Sequence, residues 1–384
     1  MALFIHTSDW HLGFSLRERR LHEDQVHIIN QIADLVEKHR PDAILISGDI
    51  YDRPVAPAPA IQLFDDFISR VAIDLKTRIV VIPGNHDSPE RIGQFRRLLG
   101  DRNVHLFGKV VPNPKPIVIK DQHGELEIFG LPYLYPAEVR TLLKIEEHSV
   151  DAEHATRAMI EKIHEHSTLD RKVLLSHAYV TGCQQSDSEQ DIIGNVNGVP
   201  ADVFDGFSYV ALGHLHRPQS VGQEHIQYSG SILKYSASEI KYTKSVNLFE
   251  IDEKGEMSRF ERLPLTPLRD LRTVEGPFEE ILTQAQAEPS DDFIFVLLDD
   301  QHTIPNAMSR LQEFYPNCLH IRPKFLDLEE NDFVADIDVR TKDLGEVFTD
   351  FWLQSKNELP SAELVQIFKD SLVETQKKRA EKQK

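Results

Sequence analysis

The pattern that most constrains this chain is a set of short apolar runs, each breaking off into a polar loop that carries glycine. "DAILISGD" (42–49) and "RIVVIPGN" (78–85) are two of them. They are short, rich in β-branched residues and almost free of polar positions, which predicts strands buried on both faces. The opening run, Ala2 to Ile5, ends the same way, in "HTSDWHLG" (6–13). Between the first strand and the second, Ile28, Ile29, Ile32, Leu35 and Val36 fall on one helical stripe. "AIQLFDDFISRVAI" (60–73) predicts a second helix. The order β-α-β-α-β favours a parallel sheet covered by helices.

Later runs follow one another with fewer helices: "ELEIFGLP", "KVLLSHAY", "SYVALGH", "HIQYSGS", "SVNLFEID" and "SRFERLPL". Together they predict a second sheet, mixed or antiparallel, with a polar helical stretch (137–170) between the two halves. Near residue 265, "LPLTPLRD" reads as a linker. Beyond it a small unit is expected: a helix near 277–287, a strand in "DDFIFVLLDD", a helix near 306–315 and a strand in "NCLHIRPK". The last 40 residues are helical in pattern, charged and split by Pro360.

A chain of 384 residues has room for two domains. It is 40% hydrophobic and 27% charged, ordinary for a soluble globular protein. No apolar run approaches the roughly 18 residues of a membrane helix, and no basic-then-apolar leader precedes the first polar loop. Cys183 and Cys318 form no C-x-x-C, which argues against a disulfide framework or structural zinc. These features suit a reducing cytoplasm without membrane contact. A net charge of −19 argues against a free-standing, charge-driven nucleic-acid binder, although metals, a basic patch or a partner can supply positive charge. There is no G-x-x-x-x-G-K-[ST], hence no P-loop.

Five loops at predicted strand ends carry the unusual residues: Asp9-x-His11, Gly48-Asp49-Ile50-Tyr51-Asp52-Arg53, Gly84-Asn85-His86-Asp87, Ser176-His177 and Gly213-His214-Leu215-His216. Asp9 and His11 sit two apart, so on an extended chain they point the same way. A neighbouring glycine allows a tight turn, and ligands of open α/β sheets gather at the carboxyl ends of strands. For any single pair, a surface Asp and a chance His is the simpler reading. Carboxylate, amide oxygen and imidazole without thiolate form a ligand set for Mn2+, Fe or Zn2+. Seven candidates exceed one ion and suit two that share a carboxylate, an arrangement used for phosphoryl chemistry.

These motifs, in this order, resemble the calcineurin-like metallophosphoesterase superfamily. The resemblance implies an α/β fold: a four-layer α-β-β-α sandwich with a small α+β cap domain and a C-terminal helical tail. It implies that Asp9, His11 and His216 hold one metal, that Asn85, His177 and His214 hold the other, and that Asp49 bridges both. His86 would face the substrate and protonate the leaving oxygen or orient the phosphate, with Asp52 fixing its tautomer.

"SDWHLG", "SGDIYDR", "PGNHDS", "LLSHAYVTG", "VALGHLHRPQ" and "YSGSILKYS" resemble, more narrowly, the SbcD family of nuclease subunits, over roughly residues 1–265. That implies two divalent ions, usually Mn2+, and DNA as substrate, cut as an exonuclease at double-stranded ends and as an endonuclease at hairpins and single strands. It also implies an SbcC-like coiled-coil ATPase as partner and a homodimer within a heterotetramer. Archaeal and eukaryotic relatives usually carry His where this chain has Asp52, so a second catalytic imidazole does not transfer. The layout expected is a nuclease domain (1–265), a DNA-binding cap (270–340) and partner-docking helices (343–384). In those helices Phe351, Trp352, Phe368 and Leu372 are the apolar anchors.

Arg17, Arg19 and Arg20 are candidates for DNA phosphates, with a solvated basic turn as the alternative. Tyr228, Ser229 and Ser231 are candidates for the cleft lining, with a strand and turn as the alternative. "QQSDSEQD" (184–191) is expected to be a mobile loop near the site, and His6 a surface residue close to the first ligand loop. Two rival readings stay open. A phosphoprotein phosphatase shares the chemistry, although Pro54 and Asp87 depart from its pattern. A metal-free binding module would need ligand positions lost, and all seven are filled.

Overall fold

A computed structural model of the protein describes residues 1–146, 149–167, 169–189, 198–300, 302 and 304–324, with 352, 360, 361, 364–366 and 368. β1 (Ala2–Thr7) leads through a hairpin, β2 (Ser15–Leu16) and β3 (Arg19–Arg20), into α1 (His22–His39) and β4 (Ala43–Ser47). Then come α2 (Ala58–Ser69), β5 (Arg78–Ile82), two single-turn helices, α3 (Pro89–Ile92) and α4 (Arg96–Leu99), and β6 (Val104–Leu106). The hairpin β7 (Ile117–Asp121) and β8 (Gly124–Leu131) precedes α5 (Pro136–Leu143), α6 (Ala152–His166) and β9 (Lys172–His177). β10 (Tyr209–Gly213), β11 (Gln219–Val221), β12 (Gln223–Tyr228), β13 (Ser245–Ile251) and β14 (Met257–Pro264) complete the two large sheets.

One sheet runs β14-β13-β1-β4-β5-β6, the other β11-β12-β10-β9-β8-β7. The expected parallel β-α-β-α-β unit is there, as β1, β4 and β5, with β6 added in parallel. The second sheet is mixed: four parallel strands with β7 and β11 antiparallel at its edges. "SVNLFEID" and "SRFERLPL" were expected there, but as β13 and β14 they join the first sheet, β13 antiparallel to β1 and β14 antiparallel to β13. The reason is physical: β1 would otherwise be an open edge with unpaired backbone groups. Phe249 of β13 also stacks on Phe4 at 5.1 Å, which local patterning cannot reveal.

Between the sheets, Phe4, Leu45, Val80 and Ile82 pack against Ile128, Val173, Leu175 and Tyr209. Their neighbours on the opposite face, Ile5, Ile44, Ile46 and Val81, are fully buried too. The helices over that face, α1 and α2, bury Ile28, Ile32 and Val36 and Leu63, Phe64 and Phe67. On the far side, Val139 of α5 and Met159, Ile160 and Ile163 of α6 cover Phe129, Leu174, Val210 and Leu212. These are the four layers α-β-β-α. The layering carries the loops after β1, β4, β5, β9 and β10 to one edge of the sandwich, because within each sheet those strands run parallel.

The chain divides into two compact units, residues 1–272 with 291–293, and 273–290 with 294–384. In the small unit α7 (Phe278–Ala287), β16 (Phe293–Leu298), α8 (Ala307–Gln312) and β17 (Cys318–Pro323) follow the order read from the sequence, and a strand not expected there, β15 (Leu271–Gly276), precedes them and pairs with β16. Val274, Phe278, Ile281, Ile294, Val296, Leu311 and Tyr315 form its core. Of the four tail anchors, Phe351 and Leu372 lie outside the described residues; Trp352 and Phe368 are helical and half-buried. Among the described residues no helix is long and apolar enough to cross a membrane.

Candidate metal centre

The first two ligand loops are zipped together by main chain. Asp9 N–H donates to Gly48 C=O (3.0 Å), His11 N–H to Asp49 C=O (2.9 Å) and Leu12 N–H to Ile50 C=O (2.9 Å). Asp9, His11 and Asp49 have φ of 52°, 44° and 50°, a left-handed region that side-chain-bearing residues avoid unless their surroundings hold them there. Asp9 and His11 therefore do not converge as alternate residues of an extended strand. The strand has ended, and the residue between them is an anchor. Trp10 is fully buried, its ring edge-on to Phe64 (6.0 Å) and Phe67 (5.0 Å) of α2. Asp87 ties the second loop to the third, accepting from Ile50 N–H (3.1 Å), Tyr51 N–H (3.0 Å) and Gly84 N–H (2.9 Å). The loops approach so closely that a Cβ at Gly84 would collide with Asp49 Oδ1, which leaves no room for any other residue there.

The seven candidate ligands meet in this crevice. The polar atoms of Asp9, His11 and His216 lie within 4.8 Å of one another, as do those of Asp9, Asp49 and His177. His11 Nε2 is 3.1 Å from His216 Nε2. Asn85 Oδ1 is 3.0 Å from His177 Nε2 and 3.1 Å from His214 Nδ1. Asp49 Oδ2 faces both groups, 3.7 Å from His11 Nε2 and 3.3 Å from His177 Nε2. Burial opposes the charge of Asp49, but His177, bonded to it, and His11 hold its carboxyl well below the usual carboxylate range. Burial likewise opposes charge on His177, yet Asp49 brings that imidazole up to about 9. Burial and the nearby His177 push His214 down to about 3.

The donor set fits divalent cations. Two buried carboxylates, an amide oxygen and four imidazoles converge with no thiolate, and lone-pair atoms such as the paired Nε2 atoms of His11 and His216 face one another. Asn85 Oδ1 stands between His177 Nε2 and His214 Nδ1, three lone-pair atoms gathered in one buried place, and a cation satisfies such an arrangement.

A shell of partners aims the ligands. His177 Nδ1 donates to Ser47 C=O (2.7 Å), which leaves Nε2 for the centre. His216 Nδ1 meets Ser188 Oγ (2.9 Å) and Glu239 Oε1 (3.2 Å). Glu239 is itself held by Lys244 and fully buried. Glu189 accepts from the His216 N–H. Ser8 donates to Asp9 Oδ2 (2.6 Å) and is braced by Ser229 Oγ (2.8 Å). His86 packs edge-on to His11 at 4.8 Å.

Several expectations change here. His86 Nδ1 donates to the backbone carbonyl of Asp52 (2.9 Å), not to its carboxylate, which turns to Arg53 (3.2 Å). The Asp52 carboxylate still lies within 4.8 Å of the His11 and His86 nitrogens. Tyr228, Ser229 and Ser231 are completely buried and cannot line a substrate cleft. They sit where a central strand of the second sheet turns into the interior. There Tyr228 OH donates to Ala178 C=O (2.6 Å), and Ser231 Oγ accepts from Lys244 Nζ (2.7 Å). His6, expected at the surface, is buried between the sheets against Tyr209 OH (3.1 Å) because β1 is central. The segment 184–191, expected to be mobile, is pinned through Ser188 and Glu189 onto His216; residues 190 and 191 lie outside the described residues. Arg17, Arg19 and Arg20 are exposed on the β2–β3 hairpin, and Arg20 reaches a cavity of about 800 Å3 shared with Phe14 and Arg53. Sequence reasoning missed Ser188, Glu189, Glu239 and Lys244. No motif marks them; the one signal was an acid and two lysines inside the otherwise mild "SASEIKYTKS".

Residues 2–218 match the family model of the calcineurin-like phosphoesterases, and residues 267–356 match that of the type 5 capsule protein repressor C-terminal domain. The SbcD component of the nuclease SbcCD from Staphylococcus epidermidis is 31% identical over 353 residues, covering 91% of this chain and 92% of that protein. Its counterpart from Staphylococcus saprophyticus is 29% identical over 353 residues, with the same coverage.

Proposed function

The chain belongs to the calcineurin-like phosphoesterases and, within them, to the family of SbcD nuclease subunits, and from that membership we propose that it hydrolyses DNA phosphodiester bonds with two divalent ions, manganese foremost. The observation that carries the reading is Asp49, whose carboxylate faces His11 on one side and His177 on the other. Asp9, His11 and His216 would hold one ion; Asn85, His177 and His214 would hold the other. When bound, such a pair supplies Lewis acidity to phosphate oxygens and makes water a better nucleophile.

The protein's own groups do the rest. The buried crevice presents the Asp49 carboxylate, which His177 and His11 keep ionised, as a seat for cations, while burial alone pushes Asp9 up and a bound cation would favour its charged form. His86 keeps its Nδ1 proton on the Asp52 carbonyl, which reserves Nε2 for substrate. From there a protonated His86 would give its proton to the leaving oxygen. The exposed arginines of the β2–β3 hairpin and Arg53 would meet DNA phosphates, which position a duplex without reading its sequence.

The same membership supports the finer reading: exonuclease action at double-stranded ends, endonuclease action at hairpins and single strands, and a role in DNA repair and recombination in the cytoplasm. The partner would be a coiled-coil ATPase, docked by residues 343–384, in a heterotetramer built on a homodimer of this chain. Residues 270–340 would form the cap that shapes access for DNA. A digest of end-labelled hairpin DNA with manganese, with and without the ATPase and ATP, tests this. Cleavage opposite the loop that ATP accelerates is the expected result; turnover of phosphopeptides with no DNA cut would replace the reading by a phosphatase.

A further inference from the structure

Next to the His177–His214 half of the centre lies a cavity of about 280 Å3. Tyr133, Tyr135 and Tyr179 form its aromatic walls, Val199 lies deeper, and His177 and His214 close its inner end. The Tyr133 ring is 6.2 Å from each imidazole, and Tyr135 stands edge-on to it at 5.0 Å. This wall is fixed in place. The Tyr133 N–H donates to Pro83 C=O (3.2 Å), just ahead of Asn85, and α5 starts directly after Tyr135. Tyr135 is 47% exposed, so its ring stands at the mouth.

The chemistry of the lining narrows the occupant. Apart from the two imidazoles, no lining residue among those described carries a charge. A phosphate or an acidic peptide finds no cation to hold it there. A flat, largely apolar body with a polar rim suits aromatic walls and is sequence-tolerant on them. The volume is just under the range that takes drug-sized ligands, enough for one ring system. The inner end is a pair of candidate metal ligands, so the occupant must be tethered to the reacting phosphate.

We propose that this cavity is a nucleobase subsite, which stacks one unpaired base of the nucleotide flanking the scissile phosphate on the ring of Tyr135, with Tyr133 meeting the edge of that base. The proposal rests on the nuclease reading and adds a rule to it. A base inside an intact duplex must leave its stack to enter, so single strands, hairpin loops and frayed ends fit the site better than a closed helix.

The experiment uses the full chain with manganese and an end-labelled single strand in which one abasic residue is walked along the sequence. The wild type should cut about tenfold more slowly at the phosphate beside the missing base, in keeping with the contribution of one stacked base. Tyr135→Ala should remove that discrimination, and Tyr135→Phe should keep it, since the ring and not the hydroxyl stacks. Aminopurine at the same position should be quenched on binding by the wild type and not by Tyr135→Ala. Equal cutting beside normal and abasic residues by the wild type would overturn the subsite and leave the nuclease reading intact. Full discrimination in Tyr135→Ala would also overturn it. Hydrolysis of bis-nitrophenyl phosphate with no DNA cut at all would sink both.

Discussion

The two halves of the candidate metal centre are built differently. The His216 half is backed by buried charge: Glu239 and Ser188 on Nδ1, Lys244 behind Glu239, and Glu189 on the backbone. The His177–His214 half is held mainly by main chain, through Ser47 C=O, and opens onto the tyrosine cavity. The surroundings of the first half give rigidity and those of the second give access. A buried ion pair is weak evidence for stability, but removing one partner is costly. The first half should therefore respond to changes in its backing, and the second to changes in what it admits.

The largest test goes to the residue the halves share. Asp49→Ala should strip both ions and abolish hydrolysis, whereas Asp9→Ala should weaken chiefly the His11–His216 site. Titration of manganese by calorimetry separates the two, and equal stoichiometry in both variants would remove Asp49 from its bridging role.

Next comes the group that meets substrate without holding metal. His86→Ala should lower phosphodiester cleavage by about 10²–10⁴-fold with two ions still bound. Loss of half the manganese on elemental analysis would make His86 a ligand instead.

The asymmetry itself is tested by Glu239→Ala. Loss of an outer partner of a ligating imidazole typically weakens metal binding by about 10–100-fold, and here the loss should fall on one site of the two. Lys244 would be left buried without its carboxylate, at about 3–5 kcal/mol of folding stability, read by urea denaturation of the metal-free protein. Glu239→Gln should recover part of the metal affinity. Two equally weakened sites would mean that Glu239 supports the whole crevice.

The smallest effect is expected from Tyr228→Phe. It removes the donor to Ala178 C=O and the acceptor for Val180 N–H (3.0 Å), at about 1–3 kcal/mol of stability. DNA affinity, measured by anisotropy, should not change, because a fully buried hydroxyl touches no substrate. A selective loss of DNA binding would return Tyr228 to the cleft.

The ligand loops were legible because the physics that places them is local. Each apolar run needs a sheet to bury it, each glycine marks a turn, and the polar residue after that turn has little choice but to face the sheet's carboxyl edge. That Asp9, His11, Asp49, Asn85, His177, His214 and His216 would gather could thus be anticipated from the chain, as could the alternating helices and strands of the small unit, whereas the four layers were expected from the family resemblance. The backing of the site was not legible. Glu239 lies 23 residues from the His216 it supports, and nothing in its neighbourhood requires burial until the loop folds over. The same holds for the buried fate of Tyr228, Ser229 and Ser231, for the return of β13 and β14 to the first sheet, and for the backbone carbonyl that takes His86 from the Asp52 carboxylate. Spacing and residue type specify which groups a strand end can offer. Which of them reach solvent, which brace a neighbour and which open a cavity depend on contacts between distant segments, and those exist only once the two sheets have closed on each other.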